Sequence, residues 1–252
     1  MGQDSKENIG TDQIVIHHIG GLWDCGNAEK LEILKPRWYI YDADGSNLEK
    51  TKRYKHCEFI NKCLGDHNGE IDFHEFENSS ANSIYPCDPR ANDFIWKQGH
   101  IIGWGKWCTI KNKLKIPVVT FDSLNLPIDV LSMDAQGSEW HIMHGISNWD
   151  DILAVFTEVE FQSLYKGQKL FGDMFNFLTE KGFRMMELGK IGIFNDNAMD
   201  AEGFCTFAEP IFLKDYIYVN DKVKLEKLAK IADCFKRYDF VRKAREKIEN
   251  LS

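Results

Sequence analysis

Residues 118–145 read VVTFDSLNLPIDVLSMDAQGSEWHIMHG. Inside them, residues 128–133, IDVLSM, form an apolar run of strand length that stops at Asp134. Residues 138–146 then carry helical spacing. A buried strand, an acid at its end and a helix folding back over it predict part of a mostly parallel sheet covered on both faces.

The pattern repeats outward. Residues 14–19, IVIHHI, predict a strand ending at Gly20-Gly21, and residues 27–34 predict a helix before Pro36. Residues 37–41, RWYIY, are a second strand that stops at Asp42. A short helix over 47–54, a third strand over 57–61, an exposed strand over 71–76 and another over 117–121 follow. Beyond Asp134, residues 152–161 are one strand, 170–179 a helix closed by Gly182, and 183–188 and 204–213 the last two strands. Residues 78–116 read as an insertion or long loop. Residues 223–251 read as one long amphipathic helix with Leu225, Leu228, Ile231, Phe235, Val241, Ala244 and Ile248 on its apolar side. The expected organisation is a flexible leader over 1–12, a main domain over 13–220 and a C-terminal helix over 221–252.

The chain has 252 residues, of which 43% are hydrophobic, enough for one sizeable core. Its net charge of −8 disfavours nucleic acid and anionic membrane as partners, since both reward positive charge. Seven cysteines, widely spaced and without a Cys-x-x-Cys pair, predict free thiols and no structural zinc. The leader has no apolar segment of the signal-peptide kind, and no run of about 18 apolar residues exists. The expected location is cytoplasmic, with a homo-oligomer left open.

Open α/β sheets bind ligands at the carboxyl ends of their strands, where strand order reverses. Gly20-Gly21 allows close backbone approach there, or is an ordinary tight turn. Asp42 follows Gly20 at roughly the 20-residue interval at which an acid meets ribose hydroxyls in nucleoside-binding folds; the competing reading is a solvated Asp-x-Asp-Gly turn. No Gly-x-Gly-x-x-Gly or Gly-Lys-Ser/Thr cradle is present, which favours a cofactor without a pyrophosphate.

Residues 118–145, with TEVEFQSLYKGQKLFGD at 157–173, EKGF at 180–183 and FAEPIFL at 207–213, closely resemble the FkbM-type methyltransferase family. The resemblance covers about 14–216. It implies a Rossmann-like class I methyltransferase sheet over 13–220, of seven strands, mostly parallel, with the last antiparallel. It implies S-adenosylmethionine as methyl donor, S-adenosylhomocysteine as product, and O-methylation of a hydroxyl on a carbohydrate or other small molecule. By position, Gly20 and Gly21 would meet the methionine part, Asp42 the ribose, and Cys63, Leu64 and Asp66 the adenine. Asp134 would face the sulfonium. The chain departs from the family at His18, Met133 and Gln136, where Asp, Lys and Glu are usual; His18 would be a weaker partner for the cofactor's amino group.

A hydroxyl acceptor needs a base. Asp134, Glu158, Glu160, His141 and His144 are the candidates, with Asp134 the best placed. Glu158 and Glu160 alternate along the expected strand and so share a face. His141 and His144 share a helix face, but no third ligand accompanies them, so no metal is expected. Trp104 and Trp107 in the insertion, with Glu160 and Tyr165, are candidates for contacting the acceptor; packing within a long loop is the alternative. Two other functions stay open. One is a non-catalytic, methyltransferase-like assembly protein; the other is a different nucleotide-binding α/β enzyme.

Overall fold

The computed structural model describes residues 12–20, 25–44, 54–92, 94–96, 103–195 and 203–251. The strands, in chain order, are β1 (Val15–Ile19), β2 (Arg37–Asp42), β3 (Cys57–Asn61), β4 (Cys63–Gly65), β5 (Gly69–Phe76) and β6 (Ile95–Trp96), then β7 (Ile110–Thr120), β8 (Val130–Met133), β9 (Ala154–Thr157), β10 (Val159–Glu160), β11 (Phe183–Glu187), β12 (Ile191–Asn195), β13 (Phe204–Ala208) and β14 (Ile211–Lys214). The α-helices are α1 (Trp104–Trp107), α2 (Glu139–His144), α3 (Phe171–Glu180), α4 (Lys222–Cys234) and α5 (Tyr238–Asn250).

The main sheet has seven strands in the order β11-β14-β9-β8-β1-β2-β3. Neighbours from β9 to β3 run parallel, and β14 is antiparallel to both β9 and β11. The expected mostly parallel, seven-stranded α/β sheet is therefore present.

Period-2 alternation along its strands sends side chains to opposite faces. Ile14, Ile16, Trp38, Ile40, Val130, Phe156, Ile211 and Leu213 pack with α4, α5 and the 3-10 helix Gly26–Leu34. Val15, Tyr39, Tyr41, Leu131, Val155 and Phe212 pack with α2 and α3. Both faces are covered, as the near-continuous apolar strands require.

Several expected elements are built differently. The run 152–161 is not one strand. It leaves the main sheet after Thr157, and β10 joins a four-stranded sheet of order β10-β13-β12-β6. The run 204–213 divides in the same way at Glu209-Pro210, because proline has no N–H to continue the ladder. The missed strand β12 carries Gly192, where a Cβ would fall 1.9 Å from the Phe207 ring.

The expected insertion over 78–116 is only partly loop. β7 begins at Ile110 and pairs with β5 along its length in a third sheet, β4-β7-β5. The alternation of Ile110, Asn112, Leu114 and Ile116 with Lys111, Lys113 and Lys115 was the signal for it.

The C-terminal segment is two helices rather than one. Lys236 takes a left-handed conformation, φ 57°, and Arg237 N–H donates to the Ala232 carbonyl at 3.0 Å. The apolar spacing slips by a residue between Phe235 and Phe240, so one straight helix would rotate its stripe away from the sheet. Leu225, Leu228 and Ile231 are fully buried, which makes α4 part of the main layer. Most of the expected helix over 47–54 lies outside the described residues. Among the described residues no helix is long and apolar enough to cross a membrane.

Candidate active site

Register alone assembles the site. Ile19 lies opposite Tyr41 on one side and Met133 on the other, and Met133 lies opposite Thr157. The next residue of each strand or turn, Asp42, Gly20, Asp134 and Glu158, therefore stands in one row at the carboxyl edge. Hydrogen bonds lock the row: Gly20 N–H to the Tyr41 carbonyl at 2.9 Å, Asp134 N–H to Ile19 at 2.9 Å and Glu158 N–H to Met133 at 3.1 Å. Strand order reverses between β1 and β8, at the centre of the row.

Gly20 has φ +99°, and a Cβ there would lie 1.8 Å from the Asp134 carbonyl oxygen. Only glycine lets these two chains approach so closely. All four residues line a cavity of about 650 Å³. That is within the roughly 300–1,000 Å³ typical of ligand sites.

Cys63 and Leu64 line the cavity with Asp42 and Asp44. Burial pushes the Cys63 thiol up to about 11, so it is a neutral contact at physiological pH. Trp104, Trp107, Phe194 and Phe207 form an aromatic wall. Trp104 is buried, and its indole N–H has no hydrogen-bond partner.

Glu209 also lines the cavity, and the sequence reading missed it although it sits in the FAEP segment. Phe156 pairs across from Ile211 and Val159 from Ala208, so the same register puts Glu158 opposite Glu209 where both chains turn from one sheet to the other. Lys190 reaches Glu209 at 3.2 Å. Burial, followed by the charges of Asp134, Glu160, Glu139 and Glu209, raises the Glu158 pKa well above the usual carboxylate range. Asp42, Asp44, Asp134 and Glu209 outnumber Lys62 and Lys190 around the cavity, which favours a cationic ligand.

Other expected residues stand elsewhere. His18 faces a small annex of about 50 Å³ shared with Asp134, Glu158 and Glu209, its Nδ1 2.9 Å from Ser132 Oγ. Asp66 turns away from the cavity, its carboxylate held by His67 Nδ1 at 2.7 Å and His141 Nδ1 at 2.6 Å. His141 meets the Tyr85 hydroxyl through Nε2 at 2.8 Å, so both ring nitrogens are engaged in that cluster and the side chain is no base for the cavity.

Glu160 lies in β10, after the main-sheet strand has ended at Thr157; it is buried beside Gln168 and does not line the cavity that Glu158 lines. Tyr165 is fully buried, its hydroxyl 2.9 Å from both the Ala81 carbonyl and Gln136 Oε1. It supports the floor rather than contacting a ligand. Gly21 lies outside the described residues. Gln136 was read only as a departure, yet it lines the cavity and its amide donates to Asp134 Oδ1 at 2.8 Å.

Glu139 is buried at the start of α2 and accepts the Ala135 N–H at 2.6 Å. Burial raises its pKa from 4.5 to about 7. The folded state thus prefers the protonated acid. This contribution is fully present below pH 4.5 and is lost as pH rises through about 7. The Glu139→Gln variant, which keeps an acceptor oxygen, should lose a pH dependence on the order of 2–3 kcal/mol across that window. Melting curves at pH 5 and pH 8 check this: the variant should be the more stable at pH 8, and parallel profiles would refute it.

A seven-stranded α/β sheet with an acid-edged cavity of ligand size at its strand-order reversal defines an α/β domain with a candidate binding site. The model of the FkbM methyltransferase domain matches residues 27–185, well over half of the chain. The protein belongs to that family and carries a methyltransferase domain. A search among curated proteins finds no match.

Proposed function

We propose that this protein transfers the methyl group of S-adenosylmethionine to a hydroxyl oxygen of a small, carbohydrate-like acceptor, on a Rossmann-like class I methyltransferase sheet. The observation that carries this reading is the row of Asp42, Gly20, Asp134 and Glu158 along one wall of the 650 Å³ cavity. The residues present fit the cofactor: carboxylates at the cavity edge for a cation, and the apolar contacts of Ile19 and Leu64 for a base.

Asp42 would accept hydrogen bonds from the ribose hydroxyls, and Cys63 and Leu64 would flank the adenine. The Gly20 backbone would pass the methionine part, and Asp134 would stabilise the positive charge. Bound S-adenosylmethionine supplies a methyl carbon activated by its sulfonium. Glu158 would take the acceptor's hydroxyl proton, its raised pKa making its carboxylate the stronger base. Trp104 and Trp107 would form the aromatic wall against which the acceptor packs.

The test is a thermal melt with excess S-adenosylhomocysteine, with NAD as control. Ligand at about 100 times its dissociation constant should add roughly 2.7 kcal/mol to stability, a shift of several degrees. Asp42→Ala should lose that shift while melting near the parent temperature without ligand. A full shift in this variant removes Asp42 from the ribose role; no shift in the parent favours the assembly reading.

A further inference from the structure

The aromatic wall of the cavity adjoins a polar turn that carries no charge. Asn78, Ser79, Ser80 and Asn82 line the cavity around the 3-10 turn Ser79–Ala81, whereas the neighbouring Glu77 does not. Hydrogen bonds hold this turn from two sides. Asn78 N–H donates to the Trp107 carbonyl at 3.3 Å, and Glu77 N–H donates to the Thr109 carbonyl at 2.9 Å. The Tyr165 hydroxyl donates to the Ala81 carbonyl at 2.9 Å, and Ser83 Oγ donates to the Gln136 carbonyl at 2.6 Å. The turn is thereby joined to the aromatic wall on one side and to the loop after Asp134 on the other.

The main chain decides which way each amide is turned. Asn78 Oδ1 accepts the Ser80 N–H at 3.0 Å, and Asn82 Oδ1 accepts the Phe76 N–H at 2.8 Å. A backbone N–H needs the oxygen of the amide and not its nitrogen, so each side chain is left with its NH2 group to offer. Both side chains are half-buried, and among the described residues neither Nδ2 has a hydrogen-bond partner. A ligand that displaces water here must bring oxygens to meet these donors, because a polar group left unmatched costs affinity. Two fixed donors beside indole rings suit a sugar, whose hydroxyl and ring oxygens accept while its C–H face packs on the aromatic surface. Charge narrows the class further. Asp134 and Glu209 line the same cavity, and Lys190 is already paired with Glu209 at 3.2 Å. Lys62 directly follows Asn61, the register partner of Asp42, and so belongs to the ribose side.

We infer that Asn78 and Asn82 are specificity-determining residues for the acceptor, their amide groups donating to two oxygens of a neutral saccharide whose ring packs on Trp107. The inference rests on the reading of the cavity as a methyltransferase site with a hydroxylated acceptor. Gripping two oxygens sets which hydroxyl is presented for methylation. Uronates and sugar phosphates are rejected, because they bring negative charge towards Asp134 and Glu209 with no unpaired cation on that side to receive it.

The test uses the full-length protein with and without excess S-adenosylhomocysteine. Saturation-transfer NMR is measured with methyl glycosides of neutral hexoses, 6-deoxyhexoses and pentoses, beside methyl glucuronide and glucose 6-phosphate. At least one neutral glycoside should receive saturation from the protein, and the two anions should receive none. Asn78→Ser keeps an oxygen to cap the turn, and Asn82→Asp keeps an oxygen for the Phe76 N–H, while each removes an NH2 donor. Each variant should raise the dissociation constant of the bound glycoside about tenfold and keep the melting shift with S-adenosylhomocysteine. Failure of every neutral glycoside to bind, or equal binding of the anions, would overturn the inference in the parent alone. So would an unchanged affinity in either folded variant. A parent that S-adenosylhomocysteine does not stabilise counts against the cofactor reading instead, and the cofactor-free arm still shows whether glycosides bind through the two asparagines.

Discussion

Gly20→Ala is expected to lower the melting temperature by roughly 8–16 °C and to abolish the stabilisation by S-adenosylhomocysteine. The new Cβ would lie 1.8 Å from the Asp134 carbonyl oxygen, which is backbone and has no rotamer to escape into. The position also has φ +99°, a conformation costly for any residue with a Cβ. Strain of about 1–3 kcal/mol adds to a clash of similar size, giving about 4 kcal/mol. Relief requires β1 and β8 to separate, which breaks the row from Asp42 to Glu158. Gly172→Ala is the matched control. Nothing stands within 4 Å of its added Cβ, and it lies in α3, so it should be neutral or slightly stabilising. Equal melting temperatures for the two variants would refute the close approach.

Lys227→Met should destabilise the fold by about 3–5 kcal/mol without touching the cavity. Lys227 Nζ, on α4, lies 3.0 and 2.9 Å from the two Asp129 oxygens, and both side chains are largely buried. Asp129 Oδ2 also accepts the Val15 N–H at 2.8 Å, tying the C-terminal helix to the start of the central strand. Burial already pushes the Asp129 pKa up, and Lys227 opposes it. Methionine preserves the packing but strands the carboxylate. Asp129→Asn in the same chain keeps an acceptor for Val15 and removes the charge, so it should recover much of the loss. Denaturant midpoints of the two single variants and the double variant measure this. A double variant no better than Lys227→Met would show that the loss is packing rather than charge.

Much of the main sheet was legible because its strands are short apolar runs punctuated by Gly20, Asp42 and Asp134, and its helices keep helical spacing. That local chemistry depends on residues close in sequence. The two smaller sheets were legible only in part: strands over 71–76, 117–121 and 204–213 were expected, but not β12 or the start of β7, and β10 and β13 belong to apolar runs that give no local sign of changing sheets.

The site divides along the same line. Gly20, Asp42, Asp134 and Glu158 stand at the cavity because strand ends collect at one edge of a parallel sheet; Cys63 and Leu64, which only the family resemblance implied, line it too. Asp66, His141, Glu160 and Tyr165 were placed there too, and tertiary contacts turned them elsewhere: an Asp–His–Tyr cluster, a strand break and a buried hydroxyl. Glu209 came into the cavity only because the register set at Phe156 and Ile211 brings it across from Glu158. By itself, the sequence determined the α/β class, the strand ends that bear the site and the family to which the chain belongs, because these follow from hydrophobic period, turn chemistry and motif. Only the tertiary structure decided which carboxylates share the cavity and how His18 and His141 are spent outside it. Those outcomes depend on pairing register and packing between residues far apart in the chain.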